Sequence, residues 1–143
     1  MEIRRLEGDD GAATTEFVIL TPILLTFLML IIQAGLYFHA VSVASAAAQE
    51  GSRMAAMEGE QNRIAAGEGE AEDFVQAVAP NLLTDVDATG SMVDSGEAVQ
   101  VNVDANVLEV YPFPFLLDLS VNETSESVVE EFRPANEAPP TDS

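Results

Sequence analysis

The chain has 143 residues, of which 25 are acidic and five are basic, for a formal net charge of −20. A surface of that sign repels nucleic acid and anionic lipid headgroups, so neither is an expected partner. Cysteine is absent, which excludes a disulfide framework, thiolate metal sites and thiol chemistry.

Residues 1–11 read as a short polar leader with Arg4 and Arg5 as its only basic residues. Residues 17–38 follow as 22 positions without a formal charge. At helical rise that is about 33 Å, enough to cross the hydrocarbon layer of a membrane. Thr21, Pro22, Thr26, Gln33 and Gly35 interrupt the apolarity only mildly, and Tyr37 and His39 stand where an interfacial belt belongs. The alanine-rich stretch 40–57 continues the helical signal. Ala40, Ala44 and Ala48 recur every four residues, and Gly51 and Ala55 extend the row. A row of small residues lets helix backbones approach closely, so this face is expected to contact other helices. Glu50 and Arg53 stand three apart and can pair on the outer face. One helix is expected from about Thr14 to Met57.

Gly59, Gly67 and Gly69 suggest a loosened linker around Asn62. A short amphipathic helix is expected over 70–79, with Phe74, Val75 and Val78 inward and Pro80 as its stop. Residues 84–96 read as a turn-rich acidic loop. From Val99 the period changes to two: Val99, Val101, Val103, Ala105 and Val107 alternate with Gln100, Asn102, Asp104 and Asn106. This predicts a half-buried strand, ended by Pro112 and Pro114. A second strand, antiparallel to the first, is expected over about 119–132. Residues after Pro134 have the composition of a disordered tail. The expected fold is α+β: a long N-terminal transmembrane helix with a pilin-like extension, packed on a small antiparallel sheet. The expected division is a cytoplasmic leader to residue 11, the transmembrane and extended helix over 12–57, a small extracytoplasmic domain over 58–133, and the tail over 134–143.

The head of the apolar run carries the functional signal. Gly11 is followed five positions later by Glu16, a carboxylate at the edge of a membrane span, where a charge needs a reason. A basic pair, a terminal glycine, this glutamate and a membrane-length helix together describe a prepilin-type N-terminus. Cleavage after Gly11 by a prepilin peptidase would leave a new α-amine on Ala12. Glu16 of a neighbouring subunit would neutralise that amine during assembly, because a buried charge is tolerated when paired. Two other readings stay open. One is an uncleaved signal anchor carrying an acidic binding or adhesion domain. The other is a secretory signal peptide cut near Ala44-Ser45-Ala46, although the apolar run exceeds the usual h-region of about 7–15 residues.

The stretch GDDGAATTEFVILTPILL resembles the N-termini of the TadE/TadG-like family of tight-adherence pilus systems, with Gly11, Ala12, Glu16, Phe17 and Pro22 at the matching positions. The stretch AAAQEGSRMAAM is similar to the alanine-rich segment that follows the span in that family. The resemblance covers roughly the first 57 residues. It implies a minor pilin-like or pseudopilin component of a tight-adherence pilus, with Gly11 and Ala12 as the processing site and Glu16, Phe17 and Pro22 serving assembly. Its implied partners are the membrane, other pilin-like subunits, the Tad secretion machinery and a prepilin peptidase. Arg4 and Arg5 before the span, against a first later basic residue at Arg53, favour a cytoplasmic N-terminus and an extracytoplasmic domain.

Other motifs carry less. Asp85, Asp87 and Glu97 resemble part of an EF-hand loop, but the twelfth position is Gly96 and the glutamate arrives one residue late, so an acidic turn is the expected use. His39 reads as an interfacial residue. Asn122-Glu123-Thr124 is a glycosylation acceptor pattern, relevant only in a glycosylating pathway. No phosphate loop, nucleophile elbow or metal-spaced histidine pair is present, so no cofactor and no catalysis are expected. The acidity also suits a high-salt habitat, where screening relieves self-repulsion.

Overall fold

The alanine-rich stretch has no helix breaker between Gly35 and Gly51, and it carries the apolar helix unbroken into the domain. In the computed structural model, which describes residues 9–110 and 119–129 with side chains from residue 14 onward, this is one helix, α1, spanning Asp9–Met57. Its 49 residues rise about 74 Å. Pro22 lies inside it without ending it. Beside it the Thr21 hydroxyl donates to the Phe17 carbonyl at 2.7 Å, a side-chain donor in the turn where proline removes a backbone one. The leader up to residue 8, the proline break at Pro112 and Pro114, the expected strand beyond residue 129 and the tail after Pro134 lie outside the described residues.

A second helix, α2, spans Arg63–Val78 and starts well before the expected residue 70. Gly67 and Gly69 are inside it, so the linker shrinks to residues 58–62. Gly67 serves packing rather than flexibility. A Cβ there would come within 2.8 Å of both the Ala55 side chain and the Gly51 carbonyl, and one on Gly51 within 2.6 Å of the Gly67 carbonyl. The two glycines therefore face each other where α1 and α2 touch. Gly67, Ala71 and Val75 form the buried row of α2, and Ala79 continues it. Phe74 is half-buried beside this row, as expected, but Val78 lies off it and is exposed.

Three antiparallel strands complete the domain in the order β1-β2-β3: β1 is Leu83–Val93, β2 is Ala98–Val107 and β3 is Ser120–Val128. The alternation in β2 is as the sequence implies, with Val99, Val101, Val103, Ala105 and Val107 all buried. Its partner β3 pairs with it antiparallel, as expected. The region 84–96 departs from expectation: it is β1 and the turn that joins it to β2, not a loop. Backbone pairing with β2 forms this strand although Ala88 and Gly90, which face the helices, are too small to give a hydrophobic signal. The turn residues Asp94, Ser95 and Gly96 all have positive φ, which is where glycine and short polar side chains are favoured.

Both helices lie on the inner face of the sheet, α1 chiefly over β2 and β3 and α2 over β1. Val101 of the central strand sits under the Gly51–Gly67 crossing, 3.3–3.4 Å from where either added Cβ would be. The core is built from alanine and valine, and its largest fully buried side chains are Val75, Val99, Val101, Val103 and Ser52. Small side chains let the helix pair and the sheet approach closely. The outer face is a polar ladder. Asn102 donates to Asn122 Oδ1 at 3.0 Å and to Thr124 Oγ1 at 2.9 Å, and Asn122 donates to Asp104 at 2.6 Å. The acceptor asparagine of the glycosylation pattern is thus tied into this ladder.

Candidate functional site: the bare helix and its seat on the domain

Below the domain the large apolar side chains of α1 are exposed, with no described element of the chain packed over them. Phe17, Val18, Ile19, Leu20, Ile23 and Leu24 are exposed, and so is every further large apolar side chain of α1 up to Ile32 except Met29, which is half-exposed. Water-soluble proteins do not leave an apolar surface of this extent bare. Among the described residues this is one helix long and apolar enough to cross a membrane, with a mean hydropathy of 2.4 in its most apolar window. Glu16 and Phe17 are exposed at its start, and Pro22 is exposed between them and the middle of the run. Gly11 and Ala12 have helical backbone in the first turns of α1. Ala12 and Glu16, four apart on one helix, share a face about 6 Å apart along the axis.

The bare stretch ends at Gln33. Its side chain is 3% exposed and grips the chain just after β2. Nε2 donates to the Leu108 carbonyl at 3.2 Å, and Oε1 accepts from the Val110 N–H at 3.0 Å. One amide thus satisfies two peptide groups 75 and 77 positions away in sequence. Sequence reasoning passed over Gln33 as a mild interruption. The usable signal was its chemistry: an amide inside an uncharged membrane-length run needs a partner, since a polar group in an apolar setting is costly when unpaired.

Above Gln33 the small-residue row is fully occupied. Ala40, Ala44, Ala48, Gly51 and Ala55 are all buried by the chain's own α2 and sheet. The expectation that this row contacts another helix holds, and the helix is the chain's own α2. Among the described residues the large apolar surface of α1 left uncovered is the run from Phe17 to Ile32.

Polar side chains fasten the remaining joints. Ser52, fully buried, donates to the Gln49 carbonyl at 3.0 Å and lies 3.2 Å and 3.0 Å from the hydroxyls of Ser125 and Ser127. Glu68 of α2 accepts the Gly90 N–H of β1 at 2.8 Å. On the solvent side Glu50 and Arg53 form the expected pair, with Arg53 Nε donating to Glu50 Oε2 at 3.1 Å and a second bond from Nη2 to Oε1. The hydrogen bond and charge of Arg53 hold the Glu50 carboxyl below its ordinary pKa, and Glu50 raises that of Arg53 in return.

The acidic residues Asp85, Asp87 and Glu97 do not converge. Asp85 and Asp87 sit at the irregularity near the start of β1, where Asn106 donates to Asp85 at 3.3 Å. Glu97 follows the turn at the other end of β1, roughly 25 Å away at strand rise. Among the described residues no group of three His, Cys, Asp or Glu side chains is placed to hold a metal ion. His39 is exposed on α1.

Comparison with known proteins singles out the same helix. Residues 11–53 match the family model of TadE-like proteins. The TadE-like segment begins at the glycine expected to be the cleavage point, includes Glu16, Phe17 and Pro22, and runs through the buried row as far as Arg53. No curated protein and no solved structure matches the chain. The TadE-like segment stops short of α2 and the sheet, so it holds the membrane-length helix and that helix's core-forming half.

Proposed function

We propose that this chain is a membrane-anchored, minor pilin-like protein that supports assembly of a tight-adherence pilus. The observation that carries the reading is the position of the TadE-like match, which starts at Gly11 and covers the exposed apolar helix. In this reading a prepilin peptidase cuts between Gly11 and Ala12 on the cytoplasmic side. Glu16 then pairs with the Ala12 amine of a neighbouring subunit, and Phe17 and Pro22 shape the contact. The helix stays in the membrane, and the acidic domain stands outside the cell membrane. The sheet domain distinguishes the chain from a major pilin, which has little beyond the helix, and suits a minor subunit or assembly factor. The role is structural, with no cofactor and no catalytic step.

The deciding measurement is the N-terminal mass of protein extracted from membranes of cells that contain the prepilin peptidase. A start at Ala12 is expected. An intact Met1 would sink the processing claim and leave an uncleaved anchor with an acidic binding or adhesion domain. That second reading draws on the leader, where Glu2, Glu7, Asp9 and Asp10 outweigh Arg4 and Arg5. A start near Ala47 would make the chain an ordinary secreted protein. For the carboxylate, Glu16→Ala is expected to abolish incorporation into pili or pilin complexes while leaving membrane insertion intact. Undiminished incorporation would remove Glu16 from the assembly step.

A further inference from the structure

We infer that the base of the sheet domain, where Gln33 holds the backbone of Leu108 and Val110, is a lipid-contacting surface set into the outer boundary of the bilayer. The inference rests on the reading that α1 crosses a membrane. Its first support is length. A helix needs about 20 residues to cross the hydrocarbon layer, and a lone charged side chain stays at the edge of that layer. With Glu16 at the inner edge, the crossing runs from Phe17 to about Leu36. The bare part of α1 ends earlier, at Ile32, because Gln33 is already covered by the chain from β2. The last turn of the crossing is therefore covered by the domain on its Gln33 side, while Ala34 and Gly35 stay exposed.

The second support is the surface at that level. Leu108 and Val110, both held by Gln33, are each 44% exposed, and Leu30 and Phe38, within a turn or two of Gln33 on α1, are exposed as well. A cleft at the same level is walled by Leu30, Ala34, Tyr37, Phe38 and Leu119 around Gln33. This apolar surface is continuous with the lipid-facing run of α1. The third support is the backbone. Non-helical chain is tolerated at membrane depth only where its peptide groups are paired within the protein. Gln33 supplies that pairing, to Leu108 and to Val110. Glu109, half-buried between them, is a formal charge at this level and keeps the base at the headgroup–acyl boundary rather than deeper. The rest of the domain is strongly acidic, so the contact is with acyl chains and zwitterionic headgroups rather than anionic lipid.

The absence of cysteine makes the test clean, because a single introduced cysteine carries the only label. Full-length protein is reconstituted in phosphatidylcholine vesicles with a spin label at Leu24, Leu108, Val110 or Asp94 in turn. Collision with lipid-soluble oxygen is compared with collision with a water-soluble nickel chelate. Leu24 is expected to be lipid-exposed, Asp94 water-exposed, and Leu108 and Val110 oxygen-accessible with little nickel collision. A nickel-accessible Leu24 would defeat the membrane reading itself. A lipid-exposed Leu24 with Leu108 and Val110 as nickel-accessible as Asp94 would defeat this proposal alone. Shielding of both from both reagents, with spin–spin broadening as protein density rises, would show a second copy on the base and also overturn it. Gln33→Ala is expected to shift the Val110 label toward nickel. An unchanged Val110 would remove Gln33 as the residue that holds the base at that depth.

Discussion

At the residue scale the domain depends on the absence of atoms. Gly51 and Gly67 are required by space, not by φ, since each added Cβ would press on backbone oxygen at under 3.0 Å. Gly51→Ala and Gly67→Ala are each expected to lower stability by about 1–3 kcal/mol through overpacking. Gly69 is the control, because nothing lies within 4 Å of its added Cβ and it is in the same helix. Gly69→Ala is expected to raise stability by about 0.5–1 kcal/mol from helix propensity. Urea unfolding of the detergent-solubilised protein, followed by circular dichroism, separates the two signs. The Glu50–Arg53 pair gives a pH signature. Glu50 is held below its ordinary pKa in the folded state, so its contribution is present above the unfolded value. That contribution fades as pH falls through the folded value. Glu50→Gln is therefore expected to differ slightly from wild type near neutral pH and to converge with it in acid. The difference is small and salt-sensitive because the pair is solvent-exposed.

At the element scale, legibility followed the size of the inward side chains. β2 was readable because five inward positions are valine or alanine against polar neighbours. The long helix was readable because apolar and alanine-rich runs adjoin without a breaker. β1 was not, because Ala88 and Gly90 face inward and its outward residues read as an acidic loop. The start of α2 was missed for a related reason: Gly67 looks like a breaker until Gly51, sixteen residues earlier, is found opposite it. Glu68 links these two elements by taking the Gly90 N–H on the sheet's outermost inner edge. Glu68→Ala is expected to cost about 1.5–3 kcal/mol, the range for hydrogen bonds to charged groups. Hydrogen exchange at the Gly90 amide should quicken more than at amides of β2, and equal protection in both proteins would deny Glu68 this role.

At the scale of the whole molecule, charge and position dominate. The apolar helix of the candidate site was legible because its residues are contiguous in sequence. Its upper end was legible only in half: the Gln33 amide announces that a partner is needed, but the partners, Leu108 and Val110, lie far along the chain. The net charge of −20 gives a global prediction. Raising salt from about 0.01 M to about 1 M shortens the screening length from about 30 Å to about 3 Å. The thermal midpoint of the domain is expected to rise over that range, against the weakening of its single surface ion pair among the described residues. A falling midpoint would mean that attractive pairs outweigh self-repulsion.

The continuity of α1 has a mechanical consequence. The helix exposed from Phe17 to Ile32 is the same continuous helix whose upper half forms part of the domain's core. The helix runs unbroken from the bare stretch into the domain, so a tilt of one is passed to the other. A change of about 20° in the helix's angle to the membrane normal, within the usual spread for spanning helices, would carry Met57 sideways by about 10 Å relative to Phe38. The protein is a lever: bilayer thickness or a neighbouring helix that leans the buried half aims the acidic domain, and a load on that domain is felt as torque within the membrane.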